Sequence, residues 1–473
     1  MGICWSAAHP SIQKEARMKR RILVIGGLAA GPSAAAKAKR VDPEAEVVLF
    51  EQGEHISYGI CEIPYFMSNE IEDAGKLIVF TPERLEKEKG VIAKVLHSVE
   101  GIMPARKEIM VRNFKDGTTH NEHFDRLIVA TGSIPKMLNL EGERSRNVFT
   151  IKSLDDAYSM KKFIDEERPR RAVIVGAGFI GLEMADVFVR RGIEVTLIHN
   201  APMPMSRLEE EGRKLVLEEI QKHGVTFLPN TKVEWLGIGA KGTVVAVGTP
   251  DMSIETDIVV VAVGVMPNAT LAGDAGIRIG AFGGIRVDDK MKALGAENIF
   301  AAGDCCELRN IVTNKPMYIS LATTASKTGR VAGENAAGGN AIFKGAIRAI
   351  GVRVFDKEVA HVGLSLKEAK EAYYDGVAHT IRAQSHVGIM PGAKEILFTL
   401  IADRKTRRLL GANVIGDRGA ILRANTLAVA IRHGMLIDEV EQFDLIYTPP
   451  YAPLWDGSAI AAEQLGKELK VKS

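Results

Sequence analysis

Cys61 stands alone in the stretch Ser57–Tyr65, which reads Ser-Tyr-Gly-Ile-Cys-Glu-Ile-Pro-Tyr. A CxxC or CxxxxC pair would close an internal disulfide, whereas one thiol must cycle through a mixed disulfide, a persulfide or a sulfenic acid. Its reactivity follows the thiolate fraction. Ile63-Pro64-Tyr65-Phe66 reads as a helix start, because proline suits the first turn, and a helix start lowers a thiol pKa. Glu62 acts the other way if it turns inward, since like charges disfavour the anion. The usual fate of a cysteine is to be buried and inert, so the case for Cys61 depends on what surrounds it. Tyr58 and Tyr65 flank it as candidate wall residues, Tyr58 in reach of a substrate. Tyr447 is a second catalytic candidate: its phenol can hydrogen-bond a thiolate, or merely pack the Pro449-Pro450 turn. The vicinal pair Cys305-Cys306 can form a strained disulfide or hold a soft metal; more commonly such a pair is small apolar filling.

The elements that must position these residues are written twice. Arg21-Ile22-Leu23-Val24-Ile25 is a short apolar strand leading into Gly26-Gly27-Leu28-Ala29-Ala30-Gly31, then a helix from Ser33 to Arg40. A second strand, Val47-Val48-Leu49-Phe50, ends at Glu51. This order places backbone N–H groups at a helix N-terminus, where a pyrophosphate is stabilised, and an acid where ribose hydroxyls lie. The pattern recurs with all three glycines: Ala172–Val175, then Gly176-Ala177-Gly178-Phe179-Ile180-Gly181, a helix from Leu182 to Arg190, and the strand Val195–Ile198. The strand-end acid is here His199-Asn200. That removes the repulsion an acid exerts on a 2′-phosphate and leaves NADH and NADPH both open.

Three further strand ends complete the pattern. Leu127–Ala130 leaves through Thr131-Gly132-Ser133-Ile134-Pro135. Asp257–Val263 leaves through Gly264-Val265-Met266-Pro267-Asn268. Asn298–Ala302 ends in Gly303-Asp304, where a carboxylate can accept from a dinucleotide's sugar-chain hydroxyl. Past residue 340, strand-like Val352–Phe355, Ile396–Leu400 and Gly411–Gly416 alternate with helices such as Ala420–His433, which predicts an α+β unit on a mostly antiparallel sheet.

Bulk properties agree with a multidomain globular enzyme. The chain has 473 residues, of which 46% are hydrophobic and 25% charged, with net charge +2. That length exceeds one core, and that charge offers no electrostatic case for nucleic acid or an acidic membrane. No apolar run reaches the ~20 residues of a membrane span. The cysteines, Cys4, Cys61, Cys305 and Cys306, do not read as a disulfide scaffold or a zinc site, so a cytoplasmic, reducing setting and no metal are expected. Residues 1–18 read as an extension before Met18-Lys19-Arg20, with Cys4 incidental.

The motif order resembles the flavoprotein disulfide reductases with two dinucleotide folds, the pyridine nucleotide-disulfide oxidoreductases. The resemblance runs from about Arg21 to about Asp456. It implies a glutathione-reductase-like α/β fold: an FAD-binding domain over 19–150 and 270–340, an NAD(P)H-binding domain over 151–269, and an α+β dimerisation domain over 341–473. It implies FAD at Gly26, Gly31, Glu51, Thr131, Gly132 and Asp304, and NADH or NADPH at Gly176, Gly178 and Gly181, with His199 and Gly264 beside it. Glu183 lies where family members place a glutamate near the flavin.

The likeness is closer to single-cysteine coenzyme A-disulfide reductases and to NAD(P)H persulfide and polysulfide reductases. The first turn reads Gly-Gly-x-Ala-x-Gly, the thiol loop Ser-Tyr-x-x-Cys-x-x-Pro-Tyr, and the tail Tyr447-Thr448-Pro449-Pro450-Tyr451-Ala452-Pro453. Ala29 stands where peroxide and oxygen reductases carry a histidine. Two positions depart from the subfamily: Glu62 replaces a glycine, and Ile389-Met390-Pro391-Gly392 replaces Tyr-Tyr-Pro-Gly. The resemblance implies a homodimer in which Tyr447 crosses to the partner's site. It implies reduction of low-molecular-weight disulfides, persulfides or polysulfide, with coenzyme A as a ligand whose phosphates Lys37, Lys39 and Arg40 could meet. The alternatives are an NADH oxidase or peroxidase using a Cys61 sulfenic acid, and a flavin-bound thiol sensor with little turnover.

Overall fold

The structure, a computed structural model, describes residues 19–470; the expected extension and Cys4 lie outside the described residues. The first sheet is parallel, in the order Ile299–Ala301, Arg126–Val129, Arg21–Ile25, Glu46–Glu51, Ile92–Val95. Its central strands are continuous apolar runs because helices cover both faces. Ile22, Leu23 and Val24 are fully buried, each side chain contributing about 1.5–3 kcal/mol by leaving water.

The second sheet is parallel too, in the order Thr226–Leu228, Glu194–Ile198, Arg171–Val175, Ile258–Val261, Val148–Phe149. The third is wholly antiparallel, in the order Ala349–Val354, Lys357–Gly363, Leu409–Gly416, Glu395–Asp403, Gly376–Gln384. Ala420–His433 and Gly457–Lys470 pack on it. This is the α/β class with two doubly wound units and an α+β third that the sequence predicts.

The helix Ala30–Val41, which follows the first glycine turn, is packed tightly on Ala322–Ala336. A Cβ at Gly329 would stand 2.3 Å from the Ala30 carbonyl oxygen, and one at Gly333 2.0 Å from that of Ala34. Small residues at this crossing hold the turn rigidly over the first sheet. Two three-stranded meanders, 97–123 and 235–255, are not anticipated by the sequence reading. Their strands carry polar residues on an exposed face, as in Thr119–His123, so the apolar-run signal is absent.

Candidate active site

The two glycine turns are near copies. Gly26 and Gly176 have φ of +105° and +110°, a region that favours glycine. Gly26 N–H donates to Phe50 O at 2.8 Å and Gly176 N–H to Ile198 O at 2.8 Å. A Cβ on Gly31 would lie 1.8 Å from Gly26 O, and one on Gly181 1.9 Å from Gly176 O. Gly178 has open space where its side chain would be, leaving backbone free to approach a ligand. Glu51 is held by two amides: Oε2 accepts from Gly27 N–H at 2.7 Å and Oε1 from Gly53 N–H at 2.8 Å. A cavity of about 350 Å³ opens here, lined by Gly26, Glu51, Thr131 and Asn268. Its size, acid and glycine cradle fit the adenosine end of a dinucleotide.

The Ala-Thr-Gly and Gly-Val-x-Pro-Asn segments meet as an antiparallel pair, Ser133–Pro135 with Val265–Pro267. Thr131 Oγ1 donates to Asn268 O at 2.5 Å, and Asn268 N–H donates to Gly132 O at 2.9 Å. Gly132 and Gly264 take φ of +72° and +111°. Asp304 sits in a short turn, Gly303–Cys305. Its Oδ2 accepts from Ser133 Oγ at 3.0 Å and from Ser320 Oγ, and lies 3.7 Å from Lys152 Nζ.

Cys61 lies just before the five-residue helix Ile63–Met67 and is exposed. Its thiol pKa is pushed up. Partial burial of its surroundings is the largest cause, then Glu62 and Glu183, with Lys152 opposing them and Asp304 adding to them. The lowering expected from a helix start is therefore overturned. The helix is short, and its first amides are already taken: Ile63 N–H donates to Ile60 O, and Tyr65 N–H and Phe66 N–H donate to Glu62 O. Glu62 folds back so that its carboxylate fills the space where Gly59 lacks a Cβ, 2.3 Å from that point. The structure thus gathers Cys61, Glu62, Glu183, Lys152 and Asp304 into one electrostatic neighbourhood.

Glu183, on the helix Phe179–Arg190, faces the thiol helix across Pro64, Tyr65 and Ser68. Burial pushes its carboxyl up to about 7, with Arg353 opposing and Asp186 adding. Arg353 lies over the Tyr65 ring at 4.7 Å and donates to Glu70 at 2.8 Å and Asp186 at 3.3 Å. It ties the antiparallel sheet to the thiol helix and to the second unit. Tyr58 is half-buried and its phenol is pushed up to about 12, chiefly by burial, against a bond to the Leu154 backbone.

Of the basic residues on the first helix, Lys39 is tied to its own helix end, Nζ donating to Pro43 O at 2.6 Å and Ala45 O at 2.8 Å. Two of its three donors are thus used within its own helix end. Arg40 is exposed near the same end. Lys37 instead pairs with Glu334 at 2.8 Å and lines a cavity of about 790 Å³ with Lys327, Arg330, Lys344 and Arg432. Cys305 and Cys306 are both fully buried in the first core with sulfurs 3.8 Å apart. They act as apolar filling there, and Cys305 donates to Ala302 O.

Tyr447 is half exposed. It lies in a strip of exposed apolar side chains, with Ile446, Tyr451, Leu454 and Trp455. Val387 N–H donates to Pro449 O at 3.2 Å, so the loop carrying Ile389 and Met390 borders this tail. Lys152, Ser320 and Arg353 escaped the sequence reading, and Ser133 was read only as part of the Thr131–Pro135 turn, not as a partner of Asp304. Lys152, Ser320 and Arg353 carry no motif around them, and long-range packing brings them to the site.

Comparison with known proteins follows this geometry. Residues 20–329 match the family described as pyridine nucleotide-disulphide oxidoreductase, and residues 350–456 match that family's dimerisation domain. The NAD(P)H coenzyme A polysulfide/persulfide reductase of Pyrococcus horikoshii is 32% identical, over 95% of this chain and 99% of that protein. The reduced CoADR-RHD of Bacillus anthracis superposes with a TM-score of 0.92 at 32% identity, covering 95% of this chain and 81% of that one. The water-forming NADH oxidase of Lactobacillus brevis, bound to NADH, gives 0.91 at 26% identity, covering 95% and 99%.

Proposed function

Because the chain belongs to the pyridine nucleotide-disulphide oxidoreductase family, we propose that it reduces external sulfur–sulfur bonds through Cys61. It is an FAD-dependent oxidoreductase that uses NADH or NADPH. The observation that carries the proposal is the isolation of Cys61. Among the described residues it is an exposed free thiol, and Cys305 and Cys306 are buried in the core of the first unit. An internal dithiol cycle has no second sulfur, so the disulfide partner comes from the substrate.

In the proposed cycle the Cys61 thiolate attacks R–S–S–R, forming Cys61–S–S–R and releasing RS⁻. FAD held at its site would supply the two-electron transfer from NAD(P)H to that bond. Cys61 returns as thiolate with a second RS⁻, and each RS⁻ takes up a proton. With R–S–SH the attack leaves Cys61–S–SH and RS⁻, and reduction then releases HS⁻. Lys152 opposes the charges that raise the Cys61 pKa, and Glu183, titrating near 7, holds or yields a proton at its carboxyl beside the thiol helix. Gly26, Gly31, Glu51, Thr131, Gly132 and Asp304 would hold FAD, and Gly176, Gly178, Gly181 and Gly264 the nicotinamide nucleotide.

Coenzyme A disulfide or a coenzyme A persulfide is the favoured substrate class. Lys37, Lys327 and Arg330 line a cavity against the first helix, and clustered cations suit a phosphorylated carrier. The exposed strip around Tyr447 supports a homodimer in which Tyr447 reaches the partner's thiol. Three free thiols among the described residues fit a reducing cytoplasm.

The test is anaerobic NAD(P)H oxidation with coenzyme A disulfide and with polysulfide, together with the mass of the protein. Activity that Cys61→Ser abolishes, with a Cys61 adduct of coenzyme A or added sulfur, supports the proposal. Oxygen-dependent turnover alone, with Cys61 gaining oxygen, would favour the oxidase reading that the Lactobacillus brevis neighbour raises.

A further inference from the structure

The two dinucleotide units end their second strands on different residues held in the same way. In the first, Gly27 N–H donates to Glu51 Oε2. In the second the matching amide, Ala177 N–H, donates to His199 Nδ1 at 3.4 Å. His199 therefore occupies the site of the ribose-binding acid, fixed by the corresponding backbone group.

That bond also fixes the tautomer. Because Nδ1 accepts, the neutral ring carries its proton on Nε2. His199 Nε2 is buried and has no partner among the described residues. A buried donor left unpaired is destabilising, and an incoming acceptor oxygen would relieve that cost. Arg213, on the helix Glu210–Lys222, adds positive charge near His199. Its Nη2 donates to Met203 O at 2.7 Å and its Nε to Pro204 O at 3.1 Å. These bonds hold the guanidinium against the loop after the strand and leave Nη1 without a bond to it. The charge of Arg213 acts on His199, adding to burial in holding the ring neutral.

We propose that His199 and Arg213 recognise the 2′-phosphate of the adenosine ribose, so that the enzyme selects NADPH over NADH. A carboxylate at this position accepts from two ribose hydroxyls and repels a phosphate, whereas an N–H donor beside a guanidinium does the reverse. The inference rests on the second unit binding the nicotinamide nucleotide.

Titration calorimetry of the FAD-loaded protein with 2′,5′-ADP and with 5′-AMP tests it without turnover, alongside NADPH and NADH. Wild type is expected to bind 2′,5′-ADP at least tenfold tighter than 5′-AMP. His199→Glu should bring that ratio to one or below, and Arg213→Met should lower it several-fold, both with unchanged flavin content. Equal binding of the two nucleotides by wild type, or an unchanged ratio in His199→Glu, overturns the proposal. Absence of binding by all four ligands would overturn the underlying assignment of the second unit as well.

Discussion

The ammonium of Lys152 lies 3.7 Å from the carboxylate of Asp304, and the same ammonium lowers the pKa of the Cys61 thiol. One lysine thus links the strand-end acid expected at FAD to the residue expected to attack sulfur. Asp304 keeps its bonds from Ser133 and Ser320 when Lys152 is removed. Lys152→Met is therefore expected to leave flavin bound while Cys61 reacts several-fold more slowly with iodoacetamide at pH 8. Stopped alkylation followed by mass spectrometry checks both. An alkylation rate equal to wild type would remove Lys152 from the thiol's electrostatics.

The Cys61 thiol pKa is raised by its partly buried surroundings, then by Glu62 and Glu183. Its alkylation rate should climb steadily from pH 7 through pH 9, since only the thiolate reacts. Glu62→Gln removes one of the raising charges. It should shift that curve to lower pH and speed alkylation several-fold at pH 7.5. A plateau already reached at pH 7 in wild type would contradict this account of the site.

Glu183 titrates near 7 in the folded protein because it is buried. Unfolded, it returns to the carboxylate range near 4.3. Between these values the native state holds a proton that the unfolded state has lost, so this group's contribution to stability falls as pH rises through 7. Glu183→Gln abolishes that dependence. Its unfolding free energy should match wild type near pH 4.5, exceed it increasingly as pH rises to about 7 and level off above, by on the order of 3 kcal/mol, with the melting temperature following the same course. Parallel melting curves at both pH values would show that the carboxyl is not held protonated.

Gly26 has φ of +105°, and a Cβ there would stand 2.2 Å from the Ala130 carbonyl oxygen. Gly26→Ala must move backbone on two central strands of the first sheet. Strain of this kind costs about 1–3 kcal/mol, and the cradle opens. The variant is expected to purify with little flavin, read as the ratio of absorbance near 450 nm to that at 280 nm, while keeping most of its far-ultraviolet circular dichroism. Full flavin occupancy would show that the turn tolerates the shift.

The dinucleotide units were legible because each is local: apolar strand, glycine turn, helix and strand-end residue follow one another within a short span, and the turn's geometry is dictated by residues that touch in sequence. The same locality made Cys61, Glu51 and His199 conspicuous. For Cys61 the sequence set a helix start against Glu62, and the direction agrees with Glu62 because burial and Glu183 add to it. The thiol's pKa is set by Glu62, Glu183 and Lys152 together, and the last two arrive from the second unit's helix and from the segment preceding another. The placement of the basic residues was likewise not legible: the Lys39 ammonium folds back onto its own helix end, while Lys37, two residues earlier, lines the cation-rich cavity. The sequence by itself determined which backbone turns exist and which thiol has no partner, because those depend on residue type and spacing. Tertiary structure decided which charges surround that thiol and that His199 accepts from Ala177 N–H while its Nε2 stays unpaired among the described residues, because Coulomb energies and hydrogen bonds depend on distances that chain spacing does not contain.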